Sequence, residues 1–154
     1  ADMGTIEAVD LVGLCAEECA RVGALLDVPA GMQTLEVQGV AKLLRRMVRN
    51  LLENARRYGA AAPDADDAGI VLSLRSDKQQ VLLTVCDNGP GVPPEWRERI
   101  FEPFFRLPGA SERVGGVGLG LALVKSIVER HHGAVRCTAR EGCGACFEVN
   151  LPAR

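Results

Sequence analysis

A chain of 154 residues that is 47% hydrophobic and 25% charged has the composition of one ordinary folded domain, not of a disordered segment. Its formal net charge of -2 and its 4% of aromatic residues disfavour nucleic-acid binding, which depends on basic surfaces and stacking side chains. No apolar run approaches the roughly 20 residues of a membrane span, and the first residues show no signal peptide. The chain opens on Ala1-Asp2 and reaches a methionine only at Met3, so we expect an excised fragment. We expect this domain to make no direct contact with nucleic acid or membrane.

The hydrophobic pattern predicts strands and helices mixed along the chain. In order, it predicts a strand at 5–11, a helix at 11–26, a short strand at 34–37, a long helix from about 39 to 58, strands at 69–75 and 80–86, a short helix at 94–101, a helix at 119–131, and a closing hairpin of 134–140 with 145–151. Residues 87–118 are rich in proline, glycine and charge, and so long a connection in a compact domain is usually functional. The order indicates an α+β fold in one domain, 1–154: a two-layer sandwich of a mixed β-sheet packed against three helices.

The six cysteines allow two interpretations. An even number could form disulfides, but their surroundings are apolar or strand-like, and a domain of this size needs no covalent bridges. We predict free buried thiols in a reducing compartment at all six positions: Cys15, Cys19, Cys86, Cys137, Cys143 and Cys146. Cys143 and Cys146 form a C-x-x-C, but zinc would need two further ligands, and the spacing to Cys137 or to the histidines fits no common zinc module.

The two histidines of the chain, His131 and His132, lie side by side at the predicted end of a helix. An imidazole in that position complements the negative end of the helix dipole. We interpret both residues as parts of a helix end and not as phosphate acceptors.

The long helix carries three polar residues at the edge of its apolar face. At 100° per residue, Asn50, Asn54 and Arg57 fall within an arc of roughly 60°. Amide oxygens suit hard cations and a guanidinium suits phosphate oxygens, although a plain polar helix edge would give the same pattern. The neighbouring arc is interpreted as a solvated face, and it consists of Lys42, Arg45, Arg46, Arg49 and Arg56.

Two glycine-rich segments could contact a nucleotide. The first is Asp87-Asn88-Gly89-Pro90-Gly91, where a carboxylate could accept a hydrogen bond from an exocyclic amine and glycines would let a planar base approach the backbone. The second, residues 115–121, opens a helix, whose first N–H groups form an anion site. A tight turn explains the first segment equally well, and the second is neither a Rossmann fingerprint nor a P-loop.

Together and in this order, the motifs resemble the ATP-binding domain of sensor histidine kinases, within the superfamily of gyrase, Hsp90, histidine kinases and MutL. The resemblance runs from about residue 43 to residue 152. Its motifs are the N box at 50–58, the G1 box at 87–91, the F box at 101–106, the G2 box at 116–121, and a last glycine motif at 142–144 before Phe147. The resemblance implies a Bergerat-type ATP-binding fold.

The resemblance also implies which residues contact the adenine. Asp87 would bind the adenine amino group, and Gly91 would line the base pocket, with Gly89 in the same cofactor-binding set. Tyr58 would pack on the adenine ring.

A second implied set surrounds the phosphates. Asn54, with Asn50, would hold Mg²⁺ against them, and Arg57 and Arg106 would contact phosphate oxygens. Residues from about 93 to 117 would form the ATP lid. The backbone of the glycine loop would cradle the triphosphate through Gly116, Gly118, Leu119 and Gly120.

Two positions depart from the family pattern. The N box usually has lysine where this chain has Arg57, which keeps the charge but changes its geometry. A threonine common in the last motif is Ala145 here. We therefore expect one hydroxyl contact near the base to be missing, and base binding to be weaker or water-mediated.

The resemblance implies a protein-histidine kinase domain of a two-component system. Such a domain positions Mg-ATP for transfer of the γ-phosphoryl group to a histidine on a dimerisation domain, which is absent from this chain. It acts on a cognate response regulator only indirectly. We expect the domain in the cytoplasm, whether or not its parent is anchored in the inner membrane.

Three alternatives remain open. A clamp-type hydrolytic ATPase of the same superfamily would carry a glutamate base at the place of Asn50, and an amide cannot act as a general base. A serine kinase of the anti-sigma type would be distinguished by its acceptor protein. A degenerate module that only docks partners would have broken motifs, whereas the aspartate, both asparagines and the glycines are present here.

Overall fold

The computed structural model describes residues 4–59, 69–105, 119–139 and 144–153, with side chains in the first range described as far as Arg57. These ranges contain three α-helices, seven β-strands and two short 3-10 turns. In chain order they are β1 (Glu7–Asp10), α1 (Leu11–Val22), β2 (Leu25–Asp27), β3 (Glu36–Gly39), α2 (Ala41–Gly59), β4 (Val71–Ser76), β5 (Gln80–Cys86), the turns Pro94–Trp96 and Arg99–Phe101, α3 (Gly120–Arg130), β6 (Ala134–Ala139) and β7 (Ala145–Pro152).

The main sheet is mixed and has the strand order β2-β4-β5-β7-β6. Strand β2 runs parallel to β4, and the other neighbours are antiparallel. Strand β5 is central, and its Val81, Leu83 and Val85 are fully buried while the residues between them are half-buried. This alternation places one face of the strand on the core. Because β5 lies between β4 and β7, its carboxyl end, which Asp87 follows, has a neighbouring strand on each side.

Helix α2 lies between α1 and α3 and also contacts β5. Its apolar stripe recurs every three or four residues, which is the period of a helix with one buried face. The stripe is at most 1% exposed and consists of Leu44, Met47, Val48, Leu51, Leu52 and Ala55. Burying each large side chain of this kind contributes about 1.5–3 kcal/mol. Helices on a mixed sheet confirm the predicted α+β sandwich.

A second, two-stranded sheet was not predicted. Strand β1 pairs antiparallel with β3, from Glu7 opposite Gly39 to Asp10 opposite Glu36. The carboxylate of Asp10 then accepts hydrogen bonds from the N–H groups of Val12, Gly13 and, 25 residues away, Leu35. One side chain thus caps α1 and joins it to the chain before β3.

The predicted helix at 11–26 was wrong beyond Val22. Gly23 adopts a left-handed conformation with φ 72°, which ends the helix. The N–H of Leu25 then donates to the carbonyl of Ile70, so Leu25 begins an edge strand. Leu25 and Leu26 are compatible with either a helix or a strand, and their pairing with β4 makes them a strand.

One other element differs from the prediction. The predicted helix at 94–101 is instead a pair of single 3-10 turns. At the end of α3, His132 adopts a left-handed conformation with φ 64°. Glycine is required at the next position, Gly133, because a Cβ atom there would overlap the carbonyl oxygen of Asn150.

The prediction of six free thiols was wrong. The structure joins Cys86 to Cys146 in a disulfide, because the antiparallel register of β5 and β7 places them directly opposite, with Cα atoms 4.1 Å apart. Cys15, Cys19 and Cys137 are free and buried. Cys143 lies outside the described residues.

Candidate nucleotide-binding site

Asp87 is a buried carboxylate at the end of the central strand, with 4% of its surface exposed. Its Oδ1 atom accepts hydrogen bonds from the N–H of Gly89 over 2.9 Å and from the N–H of Ala145 over 3.3 Å. Its own N–H donates to the carbonyl of Ala145 over 2.9 Å. The turn and strand β7 therefore fix the orientation of this carboxylate.

Glycines let the backbone pack closely around Asp87. Gly91 and Gly144 have φ values of 80° and 100°, which L side chains rarely adopt. A Cβ atom on Gly144 would overlap the carbonyl oxygen of Asp87, and one on Gly91 would lie 3.0 Å from the carbonyl oxygen of Gly144. Gly144, the last residue of its motif, and the G1 box thus pack closely together.

Gly69 also packs against the G1 box and was missed by the sequence prediction. A Cβ atom at this position would overlap the side-chain amide of Asn88. Gly69 precedes β4 and Asn88 follows β5, 19 positions later in the chain. No local sequence pattern could have revealed that these two residues pack together.

The N-box face of α2 meets the start of α3. Asn50 and Asn54, one helical turn apart, are half-buried, whereas Arg57 is exposed. The Asn50 side-chain Nδ2 donates to the carbonyl of Gly120 over 3.4 Å. Because the first N–H groups of a helix have no intrahelical acceptors, the start of α3 offers donors for an anion beside Asn50.

Aromatic packing anchors the first part of the predicted lid. Phe101 is buried and packs edge-on against Phe147, with ring centroids 6.1 Å apart. The guanidinium of Arg99 lies 5.3 Å from the ring centroid of Trp96 and 5.1 Å from that of Phe105. Cation–π contacts of this kind hold the two 3-10 turns together.

Not all of the predicted site residues belong to the part of the chain that the structure describes. Arg106, Gly116 and Gly118 lie outside the described residues. Tyr58 lies within α2, but only its backbone is described. Leu119 directly precedes α3 and is 41% exposed.

The interpretation of the arginine-rich arc of α2 as simply solvated was wrong in part. Glu18 of α1 is 2% exposed. Its carboxylate accepts hydrogen bonds from Arg49 Nε over 2.9 Å and from Arg45 Nη1 over 2.9 Å. The bonds from Arg49, aided by those from Arg45, hold the pKa of Glu18 below its usual value although burial acts in the opposite direction. This pairing fixes α2 against α1 on the side away from α3.

The chain belongs to the family of histidine kinase-, DNA gyrase B- and HSP90-like ATPases, which matches residues 39–154. The adaptive-response sensory kinase SasA of Parasynechococcus marenigrum is 37% identical over 127 residues, covering 82% of this chain and 31% of that protein. Among solved structures, the mycobacterial sensor histidine kinase MprB is 30% identical, with a TM-score of 0.74, covering 97% of this chain and 99% of that one. Full-length ShkA in complex with AMPPNP is 27% identical, with a TM-score of 0.74, covering 99% of this chain and 32% of that one.

The similarity identifies an ATP-binding catalytic domain of the two-component sensor histidine kinases. It confirms the resemblance inferred from the motifs and the Bergerat-type α+β fold. The chain spans 30% to 39% of the length of the first curated relatives it matches. In the described part of the chain, no helix is both long and apolar enough to cross a bilayer.

Proposed function

We propose that this domain binds Mg-ATP and positions its γ-phosphoryl group for transfer to a histidine of its parent's dimerisation domain. The observation that carries the proposal is the hydrogen bond from Asn50 to the carbonyl of Gly120. It joins the amide-bearing face of α2 to the start of α3, while α2 also packs on β5, the strand that ends at Asp87. The proposed base-binding carboxylate at the end of β5 and the proposed phosphate-binding start of α3 would therefore both lie beside α2.

Asp87 would accept a hydrogen bond from the adenine amino group. Its burial supports this role, because a buried carboxylate discriminates strongly in favour of a ligand that can donate to it. Gly89 and Gly91 would let the base approach the backbone, and Tyr58 would cover the ring. The N–H of Ala145 already donates to Asp87, so this residue contributes through its backbone where a hydroxyl is missing.

The phosphates would lie at the start of α3. Asn54, with Asn50, would hold Mg²⁺, and the residues fit this ion because Mg²⁺ takes few protein oxygens and completes its shell with phosphates and water. The bound ion would neutralise charge that develops on the phosphates. Arg57 and Arg106 would add positive charge. The triphosphate would be cradled by Gly116, Gly118, Leu119 and Gly120.

The partners follow from the reaction. The phosphate acceptor would be a histidine on the parent's own dimerisation domain, and a cognate response regulator would receive the phosphoryl group afterwards. The reaction would take place in the cytoplasm, without nucleic acid or direct membrane contact by this domain. One catalytic domain, 1–154, with a lid over about 93–117, would carry out the positioning.

The test is incubation of the chain with γ-labelled ATP, alone and with the dimerisation domain of its parent. Alone, the chain should bind ATP but neither label itself nor hydrolyse ATP quickly, because Asn50 cannot activate water. With the partner, a slow, acid-labile label should appear on the partner's histidine, since separate chains lack the effective concentration of a linked pair. Rapid phosphate release by the chain alone would indicate a hydrolytic clamp, and an acid-stable label would indicate a serine kinase.

A further inference from the structure

We propose that Cys86 and Cys146 are a redox modification site, at which a reversible disulfide controls how tightly the domain holds ATP. The inference rests on the proposed function, because it requires that Asp87 contact the adenine. It concerns this chain's own cysteines and adds a regulatory input to the nucleotide site.

The disulfide lies one residue away from the base-binding carboxylate. Cys86 is the last residue of β5 and immediately precedes Asp87, while Cys146 immediately follows Ala145 in β7. Asp87 and Ala145 exchange hydrogen bonds in both directions, N–H to carbonyl and N–H to carboxylate. The covalent bond therefore fastens the two strand ends whose pairing orients the carboxylate.

The bond lies on the face of the sheet that the core does not cover. Val85 and Phe147 are buried in the core, so the alternation of strand residues directs Cys86 and Cys146 to the other face. That face is polar nearby, where Glu148 accepts hydrogen bonds from Arg136 and Thr138. Cys86 is half-buried, whereas Cys146 is 8% exposed, so a small reagent would approach the bond from the Cys86 side.

The free thiols of the described residues are in a different environment. Cys15, Cys19 and Cys137 are buried in the core. Burial raises the pKa of Cys19 and of Cys137 to about 11 and raises that of Cys15 further. Because the thiolate is the reactive form, these three are poor nucleophiles. The Cys86–Cys146 pair is therefore where we expect oxidation.

The chemistry is thiol–disulfide exchange with a low-molecular-weight disulfide. One protein thiolate attacks the small disulfide and releases one small thiol, leaving a mixed disulfide. The second protein thiolate displaces the remaining small thiol and forms Cys86–Cys146. The two protein thiols lose two electrons and two protons, and the small disulfide gains them as two thiols. In a cytoplasm that keeps thiols reduced, such a bond is transient and reports oxidising conditions.

Oxidation should strengthen nucleotide binding. The bond holds the ends of β5 and β7 together, and with them the Asp87–Ala145 pair and the close contact of Gly144 with Asp87. Without it, the strand ends can separate locally, as sheet ends do where covalent and packing restraints are few. If the binding-competent arrangement then falls to about one tenth to one third of molecules, the Kd for ATP rises by about 3- to 10-fold.

The experiment measures the Kd for ATP of the chain after treatment with glutathione disulfide and after treatment with a phosphine reductant. The oxidised chain should bind about 3- to 10-fold more tightly than the reduced chain. Cys86→Ser and Cys146→Ser should each bind like the reduced chain under both conditions. The matched control, Cys137→Ala, should respond like the parent, and peptide mapping should find the Cys86–Cys146 bond.

Two results would overturn the inference: an equal or weaker affinity in the oxidised chain, or an oxidised bond mapped between Cys143 and Cys146. Since the first comparison uses one unaltered sequence in two redox states, it does not depend on a variant that folds poorly. Absence of ATP binding in both states would instead refute the proposed function.

Discussion

The backbone N–H of Val40, at the start of α2, donates a hydrogen bond to Nε2 of His131, at the end of α3, over 3.1 Å. The Nδ1 atom of the same ring lies 2.7 Å from the carbonyl oxygen of Ile127. An accepting Nε2 requires a neutral ring with its proton on Nδ1. A Cβ atom on Gly39 would lie 2.6 Å from the ring carbon Cδ2, so glycine is needed beside it. Both ring nitrogens are thus engaged, which supports the interpretation of His131 as structural.

Removing this ring should destabilise the domain. His131→Ala leaves the N–H of Val40 without its partner and opens a gap beside Gly39, so the free energy of unfolding should fall by about 1–3 kcal/mol. His132 is the matched control because it is adjacent but exposed. Its φ is 64°, so the control change is His132→Asn, which tolerates that conformation and should stay within about 0.5 kcal/mol. Urea denaturation of the two variants measures both values, and equal losses would contradict the bridging role.

Asp87→Asn should weaken ATP binding by about 1.5–3 kcal/mol, the scale of a hydrogen bond to a charged group. The fold should survive, because the amide oxygen of asparagine can still accept from Gly89 and Ala145. Calorimetric titration measures the affinity. Asp77→Asn is the control at the opposite end of β5, where the Asp77 carboxylate accepts from the N–H groups of Gln79 and Gln80. An affinity loss shared by both variants would refute the assignment of Asp87 to the base pocket.

Asn54→Ala should reduce phosphoryl transfer far more than it reduces adenosine binding. A neutral oxygen is lost from the proposed metal shell, so transfer to the partner domain should slow by at least about tenfold, or about 1.4 kcal/mol in activation free energy. Labelling rates and adenosine titrations are measured side by side. Arg56→Ala, an exposed change on the same helix, should transfer at the parent rate. A parent-like rate in Asn54→Ala would exclude the metal role.

Amide exchange should fall over residues 93–117 when Mg-ATP binds. The described part of this segment contains only single 3-10 turns, and Phe104 at its end is 69% exposed. Within residues 93–105 the buried anchors are Ile100 and Phe101, and segments with few buried anchors open readily. Mass-spectrometric exchange with and without nucleotide tests this, with β5 as the internal reference. Uniform protection of the free protein would count against a lid that closes on the nucleotide.

Glu18→Gln should lower stability near neutral pH and matter less in acid. The folded-state pKa of Glu18 is lowered from 4.5, so its stabilisation is complete above that value and is lost as the pH falls through the folded pKa. Because Arg45 and Arg49 are about 40% exposed, the loss at neutral pH should be about 1–3 kcal/mol, below that of a fully buried pair. Denaturant titrations at about pH 7 and about pH 3 measure it.

The control for that change is Glu17→Gln. Glu17 also contacts Arg45, over 2.7 Å, but its side chain is 66% exposed. An exposed pair contributes about 0–1 kcal/mol. If Glu17→Gln lowered the free energy of unfolding as much as Glu18→Gln, burial of the Glu18 carboxylate would not explain the loss. A loss in Glu18→Gln that did not change with pH would refute the explanation as well.

The sequence predicted what depends on local periodicity. The bounds of α2 follow from its apolar spacing, and β5 follows from strict alternation up to Asp87. What it missed depends on residues far apart. The buried state of Glu18 requires α1 to pack on α2, and the Cys86–Cys146 bond joins cysteines 60 residues apart through strand register. The end of α1 at Gly23 was misassigned because Leu25 and Leu26 continue the helical spacing in the sequence. Only their pairing with β4, which is distant in the chain, shows that they form a strand.

Helix α2 has three faces with separate tasks: the apolar stripe in the core, the asparagines toward α3, and the arginines toward Glu18. Each added residue turns the rest of a helix by about 100°. A single insertion or deletion between Arg45 and Asn50 would therefore misalign the later part of all three faces at once, whereas exchanging a side chain affects one. Among related sequences, we therefore expect the side chains of this helix to vary while its length of 19 residues stays the same.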